Sequence, residues 1–156
     1  MGLQVPNPPY KMNVLNGNGL FSERWTKFIV KVHQFLTKNE IIMIDVGDET
    51  TDLSVGTAKK TFRIPFAFYV KDIRASVNTA PVGSTIIVDI NEDGTTILST
   101  KLTIDAGEET STTAATAHVI SDASIADNAE ITIDIDQVGS STAGKGLKII
   151  LYGVRP

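Results

Sequence analysis

The sequence predicts a mainly β protein, an antiparallel β-sandwich of jelly-roll type preceded by an extended arm and one short amphipathic helix. Three observations predict it. Between Phe62 and Pro156 the apolar residues recur mostly at every second position, the period of a strand with one buried face. Turn signals rich in Gly, Pro, Asn and Asp interrupt that stretch at even spacing and leave about eight strands, enough for two sheets. Upstream of residue 40 the apolar period changes to that of a helix, behind a proline-rich start. The expected division is 1–38 for arm and helix and 39–156 for the β-domain, with an immunoglobulin-like strand order as the other arrangement.

Residues 1–19 hold three of the six prolines, Pro6, Pro8 and Pro9, together with Asn16-Gly17-Asn18-Gly19. Proline lacks an N–H donor and Asn-Gly pairs favour turns, so this arm is extended, with Tyr10 and Met12 as its apolar anchors. Ser22 stands at an N-cap position, and Trp25, Phe28, Ile29, Val32, Phe35 and Leu36 follow on one face of a helix of about 15 residues. Trp25, Phe28, Val32 and Phe35 also have heptad-like spacing, so the stripe suits a bundle of symmetry mates, the chain's own β-domain or another protein.

Ile41 to Val46 reads as a short strand, Gly47-Asp48-Glu49 as a turn, and Thr50 to Val55 as a further short strand. Phe62 and Ile64 alternate with polar neighbours, and Pro65 marks an edge or bulge. Phe66, Phe68 and Val70 share one face, whereas Ile73, Ala75 and Val77 have the opposite phase. A bulge or bend is therefore expected at Lys71-Asp72, one that would let the strand serve both sheets.

Asn78 to Ser84 is a loop, Ile86, Val88 and Ile90 point inward, and Asn91 to Gly94 turns the chain into a return strand lined by Leu98, Leu102 and Ile104. Glu108 to Ala117 suits an exposed strand and Val119 to Asn128 is irregular. Ile131, Ile133 and Ile135 alternate with Thr132, Asp134 and Asp136. Gly139 to Gly146 reads as a flexible loop. The last strand is apolar on both sides, with Leu147, Ile149 and Leu151 opposite Ile150, Tyr152 and Val154, and a second subunit is the favoured cover for the extra face.

Composition narrows the function classes. The chain has 156 residues and no cysteine, which removes disulfides, thiolate nucleophiles and Cys-ligated metals. A net charge of −4 argues against binding a phosphate backbone. No run approaches the length of a membrane span, and the N-terminus has no secretory-signal pattern, so the expected site of synthesis is a cytoplasm.

Three groups of residues carry candidate chemistry. Asp89-Ile90-Asn91-Glu92-Asp93-Gly94 matches the opening of a calcium loop, but the position for the closing Glu is Thr100 and the flanks read as strands, so a hairpin turn is favoured and no metal is expected. Thr132, Asp134 and Asp136 share one strand face and place the two carboxyls about 6 to 7 Å apart, a spacing that glycoside cleavage can use, but no cleft is indicated and a solvated strand face is strongly favoured. His33 and His118 are isolated and no G-x-S-x-G elbow accompanies them; no catalytic residue and no cofactor is expected.

The stretch from FRIPFAFYV to GLKIILYG, with the phrases IRASVNTAP, IIVDIN, ILSTKLTID and EITIDIDQVG, resembles a β-sandwich module of structural proteins of tailed bacteriophages, those termed tail-fibre-like or minor virion proteins. NPPYKMNVLNGNGLFSERWTKFIVKVHQFL is similar to the N-terminal segments of phage fibre and appendage proteins, which attach an appendage to the particle. The resemblance implies a non-enzymatic virion component, assembled in the host cytoplasm, homotrimeric, bound to other tail or capsid proteins through Pro8, Pro9, Tyr10, Trp25, Phe28, Val32 and Phe35. A short tail fibre or fibre adaptor is the leading expectation. A capsid decoration (cement) protein is the first alternative and a host-glycan-binding module the second, the latter with Asn78 to Ser84 and Gly139 to Gly146 as its loops.

Overall fold

The computed structural model describes residues 15, 17–18, 20–36 and 39–155, the side chains of 33–36 excepted. The chain divides into two compact units, one ending at Asn39 and the other beginning at Glu40. Of the proline-rich arm, residues 1–19, only 15, 17 and 18 are among the described residues.

In the first unit, Leu15 and Phe21 form a backbone bridge that leads into helix α1, Glu23–Leu36. Ser22 occupies the N-cap position, and its carbonyl accepts the first helical bond from Thr26 N at 2.9 Å. Its buried hydroxyl has no partner among the described residues, so the cap is made by backbone alone. Lys27 pairs with Glu23 one turn away at 2.5 Å.

The strands are β1 Asn39–Asp45, whose first residue closes the first unit, and, within the second unit, β2 Gly56–Arg63, β3 Phe68–Ser76, β4 Ile86–Glu92, β5 Thr95–Thr96, β6 Leu98–Thr100, β7 Leu102–Ile104, β8 Val119–Ile120, β9 Ser124–Ile125, β10 Glu130–Gln137 and β11 Lys148–Val154. One sheet has the order β1-β11-β3-β9 and the other β2-β10-β4-β5, with β7 also on β4. The pairs β3–β11, β3–β9, β10–β2, β10–β4, β4–β5, β4–β7 and β6–β8 are all antiparallel. Numbering the eight principal strands β1, β2, β3, β4, β7, β9, β10 and β11 consecutively, the sheets read 1-8-3-6 and 2-7-4-5. That interleaving is the double Greek key of a jelly roll.

Isoleucine dominates the space between the sheets. Ile86, Val88 and Ile90 from β4 and Ile131, Ile133 and Ile135 from β10 meet Phe68, Val70, Ile73, Ile149 and Leu151 from the other sheet in one buried cluster. β-Branched side chains suit this layer because they are stiff and fill a pleated surface. The expected bulge is present: Asp72 pairs with Tyr152, Val70 pairs with Gly153, and Lys71 is the extra residue. It restores Val70 and Ile73 to the same buried face. β3 nevertheless stays in one sheet along its whole length, because β11 accompanies it past the bulge.

Several other expectations are corrected. Thr50 to Val55 is not a strand; Asp48 gathers the Thr50 and Thr51 amides at 2.8 and 2.6 Å into a side-chain-closed turn, and β2 begins only at Gly56. The turn after β4 is tighter than Asn91 to Gly94: Asp93 and Gly94, at φ 45° and 83°, form a two-residue hairpin connection. Glu108 to Ala117 holds a short 3-10 turn, Ser111–Thr113, capped by the Thr110 hydroxyl, instead of a strand. Val119 to Asn128 contributes β8 and β9, the latter the edge of the first sheet. Gly139 to Gly146 is stitched down by backbone bonds between Val82 and Thr142 and between Asn78 or Thr79 and Lys145.

Candidate functional site

The polar outer face of the second sheet gathers both acidic groups singled out in the sequence. Asp89 and Asp134 are cross-strand partners, an unfavourable juxtaposition of like charges unless each is compensated. Each is. Asp89, only 6% exposed, accepts from the Thr96 hydroxyl and from Ile90 N at 2.8 Å, and its Oδ2 lies 3.0 Å from Lys101 Nζ. Asp134 accepts from Ala58 N at 2.7 Å and Asn91 Nδ2 at 3.0 Å. A second bulge, at Asp136, turns that carboxylate to Lys101 at 2.6 Å. These hydrogen bonds, first to Asp136 and then to Asp89, hold the Lys101 ammonium above its ordinary pKa.

The calcium-loop residues diverge. Asp89 faces Lys101, Asn91 faces Thr132 and Asp134, and Asp93 Oδ1 accepts from Glu130 N at 3.0 Å, on the neighbouring strand β10. Among the described residues no cluster of three or more His, Asp or Glu has the arrangement of a metal site. Thr132 and Asp134 converge on Asn91, whereas Asp136 is carried away by its bulge, so the strand-face triad does not form one centre.

Of the expected interaction residues, Trp25, Phe28 and Val32 lie half-buried on one face of α1, with the Trp25 and Phe28 rings edge to face at 5.5 Å. Ile29, read into the same stripe, is 42% exposed. Phe35 belongs to α1, but its side chain, like Pro8, Pro9 and Tyr10, lies outside the described residues.

The outer face of the first sheet carries an apolar strip alongside Asp72 and Arg74, the cross-strand partners of Tyr152 and Ile150 on that face. Ile41 and Met43 on edge strand β1 are 64% and 62% exposed, Tyr69 on β3 is exposed, and Ile150, Tyr152 and Val154 of β11 are half-buried between those strands. β11 is thus central in its sheet, with its second apolar side turned outward.

A notch that no sequence signal announced lies on the free side of β3. That edge is paired at one end with β9, where Val70 N also donates to Ala123 O at 2.8 Å. At the other end Ala75 N donates to Ser111 Oγ at 2.9 Å and Val77 N to Glu109 O at 3.0 Å. Between them the strand edge opens into a cavity of about 260 Å³ lined by Asp72, Arg74, Ser111, Thr112, Ala117 and His118. Asp72 Oδ1 accepts from Ile73 N at 2.9 Å and Oδ2 from Arg74 Nε at 3.0 Å. The Arg74 guanidinium also stands 5.0 Å over the Tyr152 ring. His118 Nε2 is 3.6 Å from Asp72 Oδ1, too far for a hydrogen bond. A second cavity, about 250 Å³, lies beside Asp48, Asp52, Ser54 and Lys59.

Fold and surface define an antiparallel jelly-roll protein. Comparison with protein-family models, with curated proteins and with solved structures yields no match for this chain. Among the described residues no helix is long and apolar enough to cross a membrane.

Proposed function

We propose that the chain is a non-enzymatic structural component of a tailed-bacteriophage particle, a short tail fibre or fibre adaptor, anchored through its N-terminal segment and projecting its jelly roll. The sequence resemblance supplies the biological setting. The observation that carries the reading on the molecule itself is the apolar strip on the outer face of the first sheet, where Ile41, Met43 and Tyr69 remain exposed beside Ile150, Tyr152 and Val154. An exposed apolar strip on a sheet favours contact with another protein surface, a copy of the same chain in a homotrimer or a neighbouring virion protein. The amphipathic face of α1, with Trp25, Phe28 and Val32, provides a second apolar surface for docking.

Deletion of residues 1–38 tests the anchor. The expected product is a folded β-domain that fails to incorporate into particles; truncated protein recovered on purified virions would overturn the assignment. Copy number separates the fibre role from capsid decoration, which the same apolar strip also serves: a few copies at a tail vertex against hundreds over a shell.

A further inference from the structure

We infer that the notch on β3 is a binding site for a carboxylate-bearing, hydroxyl-rich small molecule of the sugar-acid class. The inference stands whether or not the chain is carried by a particle. Its centre is Arg74, whose guanidinium is fixed on two sides, at Nε by Asp72 at 3.0 Å and on its face by the Tyr152 ring. The two terminal nitrogens have no protein partner among the described residues, and Arg74 is one of the residues that line the 260 Å³ cavity. An arginine restrained in this way presents a planar pair of parallel N–H donors, the geometry that a carboxylate accepts bidentately. Much of the ordering cost is met before a ligand arrives.

Neighbouring groups define the rest of the ligand. The Ser111 oxygen already accepts from Ala75 N, so its O–H is left to donate, and His118 lines the same space with no hydrogen bond from its ring among the described residues. Both suit hydroxyl or ring oxygens placed beside a carboxylate. Asp72 in the wall balances the charge of Arg74, which favours a monoanion over a dianion such as phosphate. The bulge at Lys71 sets the phase of the strand beyond it, where Asp72 and Arg74 share the outward face, and Ser111 of the 3-10 turn meets the same strand at Ala75.

Titration of the full chain with glucuronate, glucose and inorganic phosphate, followed by amide NMR, tests the site. Glucuronate is expected to shift the amides of Arg74, Ser111, Thr112 and His118 saturably, with glucose inert and phosphate weaker. Arg74→Lys, which keeps the charge but loses the fork, should weaken glucuronate about tenfold or more while the remaining spectrum is unchanged. Arg74→Gln should abolish binding. The absence of saturable shifts, equal affinity in Arg74→Lys, or binding of glucose or phosphate as tight as glucuronate would each overturn the assignment.

Discussion

Lys101 Nζ sits 3.0 Å from the carboxylate of Asp89, the one charged residue among those described that is buried, on the outer face of the second sheet. The lysine joins β6 to β7 on the edge of the second sheet, where it also holds Asp136 at 2.6 Å. One cation thus compensates two carboxylates on neighbouring strands.

Lys101→Met should leave Asp89 buried with the Thr96 hydroxyl as its remaining side-chain partner, at a cost of about 3 kcal/mol. Urea unfolding measures it. Asp89→Asn in the same background should recover much of the loss, a coupling that a double-mutant cycle resolves.

Alkaline unfolding carries the signature of the same cation. A lysine whose pKa is raised on folding contributes stability that is complete below its unfolded value, about 10.4, and disappears as pH rises through the folded value. The melting temperature of the wild-type chain should therefore fall more steeply above that pH than that of Lys101→Met.

At the acid end, Asp48 is held well below the usual carboxylate range by hydrogen bonds from Thr51 and then Thr50. Its contribution is complete above the unfolded value, about 3.9, and is lost as pH falls. Asp48→Asn should flatten the decline in melting temperature below about pH 4, measured by circular dichroism.

Ile133 is fully buried at the centre of β10, and Ile133→Ala should cost about 2–5 kcal/mol with no change of fold. Gly153→Ala should do worse. A Cβ there would stand 2.2 Å from Tyr69 O and 2.6 Å from the Phe68 ring, so β11 and β3 would have to separate at their bulge. Loss of soluble protein, or destabilisation beyond about 3 kcal/mol, is the expected outcome.

Much of this architecture is legible in the sequence wherever a strand has one wet and one dry side. β10 displays its alternation openly, and the phase change between Val70 and Ile73 places the β3 bulge at Lys71-Asp72, within which Lys71 is the extra residue. β2 is obscure because all but two of its residues, Gly56 and Phe62, are exposed, leaving no alternation to read. β8 and β9 have two residues each, too few to express a period. The notch was invisible for a different reason: it joins residues 72–74 to residues 111–118 through strand-edge pairing, and neither segment has a local motif. The calcium-like hexapeptide shows the converse. Its spacing is that of a ligand loop, but a pleated strand with a two-residue turn sends its oxygens to different partners.

Ala58, in a left-handed backbone conformation at φ 48° and followed by Lys59 and Lys60, interrupts the rim of the second sheet. A stranger's strand approaching that rim meets a kink and two ammonium groups in place of a straight row of amides. Crowded copies of this protein are thereby steered away from zipping together into ribbons, and each body keeps its own outline while its flat sides remain available for contact.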